Sequence, residues 1–124
     1  MIEKYFIEIE NILLYFQEII IDYSVEKKIY SQLNGYINIK VSFKKDFYLE
    51  ITEVKDITKK EKIKYSYHFM DKNNNLIFRY DNAKHHKKIK TFPDHKHTED
   101  KITESKEPEL FTVLIEIYNF ITKL

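Results

Sequence analysis

The sequence predicts an α+β fold: an N-terminal helix, a five-stranded antiparallel meander sheet and a C-terminal helix, stacked as a two-layer sandwich. Three observations carry this expectation. At both ends of the chain apolar residues recur at spacings of three and four, as on one face of a helix. Between them apolar and polar residues alternate, the period of a half-buried strand. The aromatic content, 10 Tyr and 9 Phe in 124 residues, favours sheet. At this length a single domain spanning 1–124 is expected, large enough for one core.

Ile2, Tyr5, Phe6, Ile9, Ile12, Leu13 and Phe16 form the first helical stripe, with Glu and Lys on the other side. The period changes near Gln17, after which Ile19, Ile21, Tyr23 and Val25 alternate as a strand. The clearest strand follows the only glycine, Gly35: Ile37, Ile39, Val41 and Phe43 point one way, and Asn38, Lys40, Ser42 and Lys44 the other. Lys44-Lys45-Asp46 reads as a short hairpin turn, although it lacks Asn-Gly or Asp-Gly. Phe47, Leu49 and Ile51 resume the alternation, which decays through Val54 and Ile57. Ile63, Tyr65, Tyr67 and Phe69 give the fourth apolar face, opposite Lys62, Lys64, Ser66 and His68.

After an Asn-rich turn, the fifth strand runs from Leu76 to about Asp81. With Phe78 and Tyr80 facing the core, Arg79 and Asp81 fall on the same side as His68. From Asn82 to Glu107 no period is visible, and a loop of that length in a small domain points to function or disorder. Pro108 suits the first turn of a helix, and Leu110, Val113, Leu114, Ile117, Ile121 and Leu124 supply its stripe.

Charge and cysteine usage narrow the classes. The formal net charge of +1 neither demands nor excludes a polyanionic partner, so any such argument rests on local clustering. The absence of cysteine removes disulfides and thiolate metal sites, and a reducing cytoplasm is the default expectation. No signal-like segment is visible, and no apolar run approaches the ~20 residues of a membrane span.

The specialised polar chemistry gathers between Tyr65 and His97. This stretch holds all five histidines, His68, His85, His86, His95 and His97, and the only arginine, Arg79. A guanidinium donates in a planar fork matched to phosphate or carboxylate oxygens, which an ammonium cannot reproduce. Arg79 is therefore a candidate anion-binding residue; the competing reading is a structural ion pair with Asp81. The four histidines from His85 to His97 admit metal ligation, acid–base chemistry near neutral pH, or plain solvation. Their spacing, H-H-x8-H-x-H, matches no strong zinc pattern, so no metal and no cofactor is assigned. Lys84, Lys87, Lys88, Lys90 and Lys96 interleave with them into a positive segment suited to a phosphate backbone, or to a solvated charge run. A single glycine excludes a Gly-rich phosphate loop, and neither a serine elbow nor a thiol is available.

These residues also carry a resemblance. The run YSYHFMDKNNNLIFRYDNAKHHKKIKTFPDHKH is similar to the signature of the TumE family, small toxins of toxin–antitoxin pairs. Leu76 to Ala83, His85, His86, Thr91 to Pro93 and His95 to His97 all match that pattern. Lys84 stands where the family commonly has proline, and Asp94 where it often has histidine, which breaks a contiguous His-His-Lys-His cluster.

The resemblance implies a growth inhibitor paired with a helix-turn-helix antitoxin, acting in the cytoplasm and assembling as a homodimer within the toxin–antitoxin complex. By analogy with other small toxins it implies metal-independent cleavage of RNA. Arg79, Asp81, His86, His95 and His97 would be the catalytic set. Arg79 and Lys96 would hold the phosphate, His86 or His95 would take the ribose 2′-OH proton, and another histidine would protonate the leaving oxygen. Asp81 would orient one imidazole, while His68, Lys84, His85, Lys87, Lys88 and Lys96 would contact RNA. Two other classes stay open: a transferase that modifies RNA or protein, and a non-catalytic module that docks on nucleic acid or the ribosome.

Overall fold

A computed structural model describes residues 1–124. Helix α1 (Ile2–Leu13) leads through a 3-10 turn (Leu14–Phe16) into the sheet. Seven strands follow: β1 (Ile20–Ile29), β2 (Asn34–Phe43), β3 (Phe47–Asp56), β4 (Lys64–Met70), β5 (Leu76–Asp81), β6 (His95–Thr98) and β7 (Ile102–Glu104). Helix α2 (Leu110–Thr122) closes the chain. The strands lie side by side in sequence order, each antiparallel to the last, so the α+β meander is as expected.

The strand count is not. There are seven strands rather than five, and both additional ones lie in the segment 82–107 that shows no period. The reason is physical. β6 is four residues, His-Lys-His-Thr, with polar side chains on both faces, so it carries no hydrophobic alternation. Its stability comes from backbone pairing with the edge of β5, where Arg79 opposes His97 and Asp81 opposes His95. β7 is three residues long and pairs with β6 in the same way.

Both helices cover one face of the sheet. α1 buries Ile2, Phe6, Ile9 and Leu13, and α2 buries Leu110, Val113, Leu114, Ile117 and Ile121. They pack on the inward residues of β2 to β5, among them Ile37, Ile39, Val41, Leu49, Ile51, Tyr65, Tyr67, Phe69 and Phe78, as one continuous core. Gly35 sits where β2 passes under α1. A Cβ there would meet the Lys28 carbonyl oxygen at 2.7 Å and the Phe6 ring at 3.1 Å, so no larger residue fits without movement. The β2–β3 turn holds Lys45 and Asp46 at φ 66° and 64°, a conformation usually left to Asn and Gly. Lys45 offsets that strain from the other end of its side chain, where Nζ donates to the Ile121 carbonyl 3.2 Å away at the C-terminus of α2.

Two strands depart from the expected pattern. On β1 a bulge between Ile20 and Asp22 takes Ile21 out of the alternation and leaves it 63% exposed, and Tyr23, paired with Val41 on this edge strand, is also exposed. β3 does not decay after Ile51 but continues to Asp56, with Glu53 and Lys55 in the inward positions. Glu53 is fully buried, yet its carboxylate accepts hydrogen bonds from the Tyr5 and Tyr67 hydroxyls, the latter at 2.6 Å. Burial nonetheless pushes its carboxyl above the ordinary glutamate value. Lys55 donates to the carbonyls of Lys59 and Lys60. No helix is long and apolar enough to cross a membrane.

Candidate functional site

The face of the sheet opposite the helices carries the polar residues. Antiparallel register puts them in rows across the strands. His68 opposes Arg79, and Arg79 opposes His97; one step along, Ser66 opposes Asp81, and Asp81 opposes His95. Side chains directly opposite each other share a face, so both rows point to the same side. Arg79 and Asp81 thus share the side of His68, while Phe78 is buried toward the helices.

Asp81 is the hub. Its Oδ1 accepts from His95 Nε2 at 2.9 Å and from the Ala83 amide at 2.9 Å, and its Oδ2 accepts from Arg79 Nε at 2.7 Å. The carboxylate is 5% exposed and His95 is 2% exposed, so their contact is sheltered from water. His95 Nδ1 lies 2.9 Å from the Pro93 carbonyl, an acceptor only, which makes Nδ1 a donor. Both nitrogens of this buried ring are therefore committed. Arg79, by contrast, gives only Nε to Asp81 and is 34% exposed on the side chain.

The segment after β5 folds back over this face. Its two ends are anchored at β4: the side-chain oxygen of Asn82 accepts from the Tyr65 amide, and Asp94 accepts at 2.8 Å from the Tyr65 hydroxyl, which faces the helical side. A second tie joins Thr91 to the Ser105 amide. This brings His86 to β6: its ring centroid is 5.0 Å from that of His95 and 5.3 Å from that of His97, and His95 and His97 are 5.1 Å apart. Their ligating nitrogens all lie within 4.8 Å of one another, so these three rings could hold a metal ion. Burial, then the Arg79 guanidinium, holds His97 and His68 below the ordinary imidazole value.

Beside the cluster an open groove of about 570 Å³ runs along the sheet, lined by Thr52, Ser66, His68, Arg79, Asp81 and His85 among others. Thus Arg79, Asp81, His86, His95, His97 and His68 are gathered on one face. Lys84, His85, Lys87 and Lys88 are exposed loop residues; His85 lines the groove, and His85, Lys87 and Lys88 line a second recess together with His86. Lys96 is not brought to the site. It lies on the helical side of β6, where Nζ donates to Glu116 at 2.7 Å and sits over the Phe78 and Tyr80 rings. Burial alone would lower its pKa, but Glu116 and the Tyr80 hydroxyl outweigh it and hold the ammonium above its ordinary value.

Some residues of the site escaped sequence reasoning. Ser66 and Thr52 line the groove because they fall on the outward parity of β4 and β3, yet a lone hydroxyl residue carries no signal of its own.

Comparison with known proteins adds one finding. The family model described as Toxin TumE matches residues 9–124, nearly the whole chain, including every residue of the site. No curated protein and no solved structure matches. The chain belongs to the TumE toxin family, and so to the toxin side of a toxin–antitoxin pair, with an antitoxin as its implied partner.

Proposed function

We propose that the toxin acts by cleaving RNA at the Arg79–histidine face of the sheet, without a catalytic metal. The observation that supports this reading most is the grouping of one guanidinium, which lines the groove, with two half-buried imidazoles beside it, His97 opposite Arg79 on the next strand and His86 against His97. The terminal nitrogens of Arg79, left over from its Nε bond to Asp81, are the donors for a bridging phosphate and for the charge that develops on it. His86 and His97 are half-buried rather than enclosed, so they can reach a bound strand.

The reaction is an in-line displacement. The ribose 2′-oxygen attacks phosphorus and forms the P–O2′ bond, while the P–O5′ bond breaks, leaving a 2′,3′-cyclic phosphate and a free 5′-hydroxyl. His97, held below the ordinary imidazole value and so neutral at pH 7, takes the 2′-OH proton. His86 gives a proton to the departing 5′-oxygen. His95 has both nitrogens committed and acts as a positioning residue, fixing Asp81 and through it Arg79. Lys84, His85, Lys87 and Lys88 attract the backbone of the strand, and His68 sits beside Arg79 along the groove.

The test uses a short RNA of defined sequence and the same strand with one 2′-deoxynucleotide at the cleavage position. The reading expects a 2′,3′-cyclic phosphate product from the first and none at that position from the second. Cleavage that ignores the missing 2′-OH overturns this chemistry.

A further inference from the structure

We propose that His86, His95 and His97 form a binding site for one divalent transition-metal ion, and that occupancy of this site silences the toxin. Three features of the cluster carry the first half. The ligating nitrogens of all three rings already lie within 4.8 Å of one another, so modest ring rotations bring them to the separations that metal–nitrogen bonds of about 2.0–2.1 Å require. Two of the rings are placed by the rigid part of the fold: His95 and His97 are alternate residues of β6, so the pleat puts them side by side on one face. The third is carried by the segment folded back over the sheet, whose half-buried His86 is able to close on the pair.

The surroundings fit the same reading. Metal-bound histidines characteristically donate their second nitrogen to a carbonyl or carboxylate, which fixes the ring. His95 does this through Nδ1 to the Pro93 carbonyl at 2.9 Å, which leaves Nε2 as the nitrogen to ligate. An ion on Nε2 takes the place of the present 2.9 Å contact with Asp81 Oδ1, which puts the Asp81 carboxylate beside the new charge. Three neutral imidazoles and no thiolate suit Zn²⁺, Co²⁺ or Ni²⁺ rather than Mg²⁺ or Ca²⁺, which take oxygen ligands.

The second half rests on the RNA-cleaving reading above. A nitrogen whose lone pair holds an ion can neither accept nor deliver a proton, so the loaded site removes His86 and His97 from acid–base work. The metal-bound and the cleaving states exclude each other.

The test begins with Co²⁺ titrated into the metal-stripped full chain and followed by visible absorption. We expect one ion per chain with the intense bands of low coordination number. His86→Ala and His97→Ala should each weaken binding at least about tenfold, with far-UV circular dichroism showing both folded, while His85→Ala binds as the parent does. No saturable bands, or binding unchanged in both His86→Ala and His97→Ala, overturns the site. In the cleavage assay one equivalent of Zn²⁺ should abolish most product formation, and EDTA should restore it. Undiminished cleavage by the loaded protein overturns the silencing. Should the protein cleave nothing even when stripped, the RNA reading fails, and the Co²⁺ titration still decides whether the metal site exists.

Discussion

Asp81→Asn perturbs the hub of the site while changing almost no volume. The native carboxylate accepts three hydrogen bonds, from His95 Nε2, the Ala83 amide and Arg79 Nε, and donates none. An asparagine offers one acceptor and one donor group. With its oxygen toward Ala83 and His95, the amide nitrogen faces the Arg79 N–H; with the oxygen toward Arg79, the nitrogen faces the Ala83 N–H. Either way two donors confront each other, and the charge that strengthened the remaining bonds is gone. Losing a charge-assisted bond costs about 1.5–3 kcal/mol, and the Arg79 side is discounted because that side chain is a third exposed. The sheltered His95 side is not discounted, so we expect a loss of about 2–4 kcal/mol. For a chain of this length that is a fall in Tm of roughly 10 °C. Thermal unfolding followed by circular dichroism at neutral pH reads it, with Ser66→Ala, the cross-strand neighbour of Asp81, as a control expected to move by less than about 0.5 kcal/mol. A fall of under about 2 °C for Asp81→Asn would show that the three contacts do not hold the site together.

Other consequences follow from the same structure. Burial raises the Glu53 carboxyl above its ordinary value, so over the pH window between the two values the folded chain keeps a proton that the unfolded chain has shed. Stability should therefore decline as pH rises through that window, and Glu53→Gln should flatten the decline in urea unfolding; an unchanged slope speaks against it. His68 and His97 should titrate below about 6.5 in imidazole NMR spectra, since burial and then Arg79 disfavour their charged forms. Arg79→Gln should move both upward. Their depressed values add stability that is complete above about pH 6.5 and is lost as the pH falls through the folded values, so acid should destabilise the parent more than the Arg79→Gln variant.

Much of this was legible before any coordinates. The two helical stripes, the alternation in β2 and β4, and the shared face of His68, Arg79 and Asp81 all follow from counting residues by periods of two and 3.6. The histidines and the lone arginine gather in one stretch of sequence, and the fold brings most of them to one face of the sheet. What stayed hidden depends on pairing rather than pattern. β6 has no apolar face to announce it, so nothing in His95-Lys96-His97-Thr98 told that His95 and His97 would stand opposite Asp81 and Arg79. The same pleat sent Lys96, a residue of the same basic run, to the other side of the sheet and onto Glu116. Glu53 was hidden for a different reason: a carboxylate at an inward position reads as the end of a strand until the Tyr5 and Tyr67 hydroxyls that satisfy it are known.

The most direct test of the account is incubation of the purified protein with labelled RNA, with and without EDTA, beside Arg79→Ala, His86→Ala and His97→Ala. The account predicts cleavage by the parent that survives EDTA and is lost in all three variants, each folded by circular dichroism. Intact RNA in every lane of the parent, or cleavage that EDTA abolishes, would contradict it.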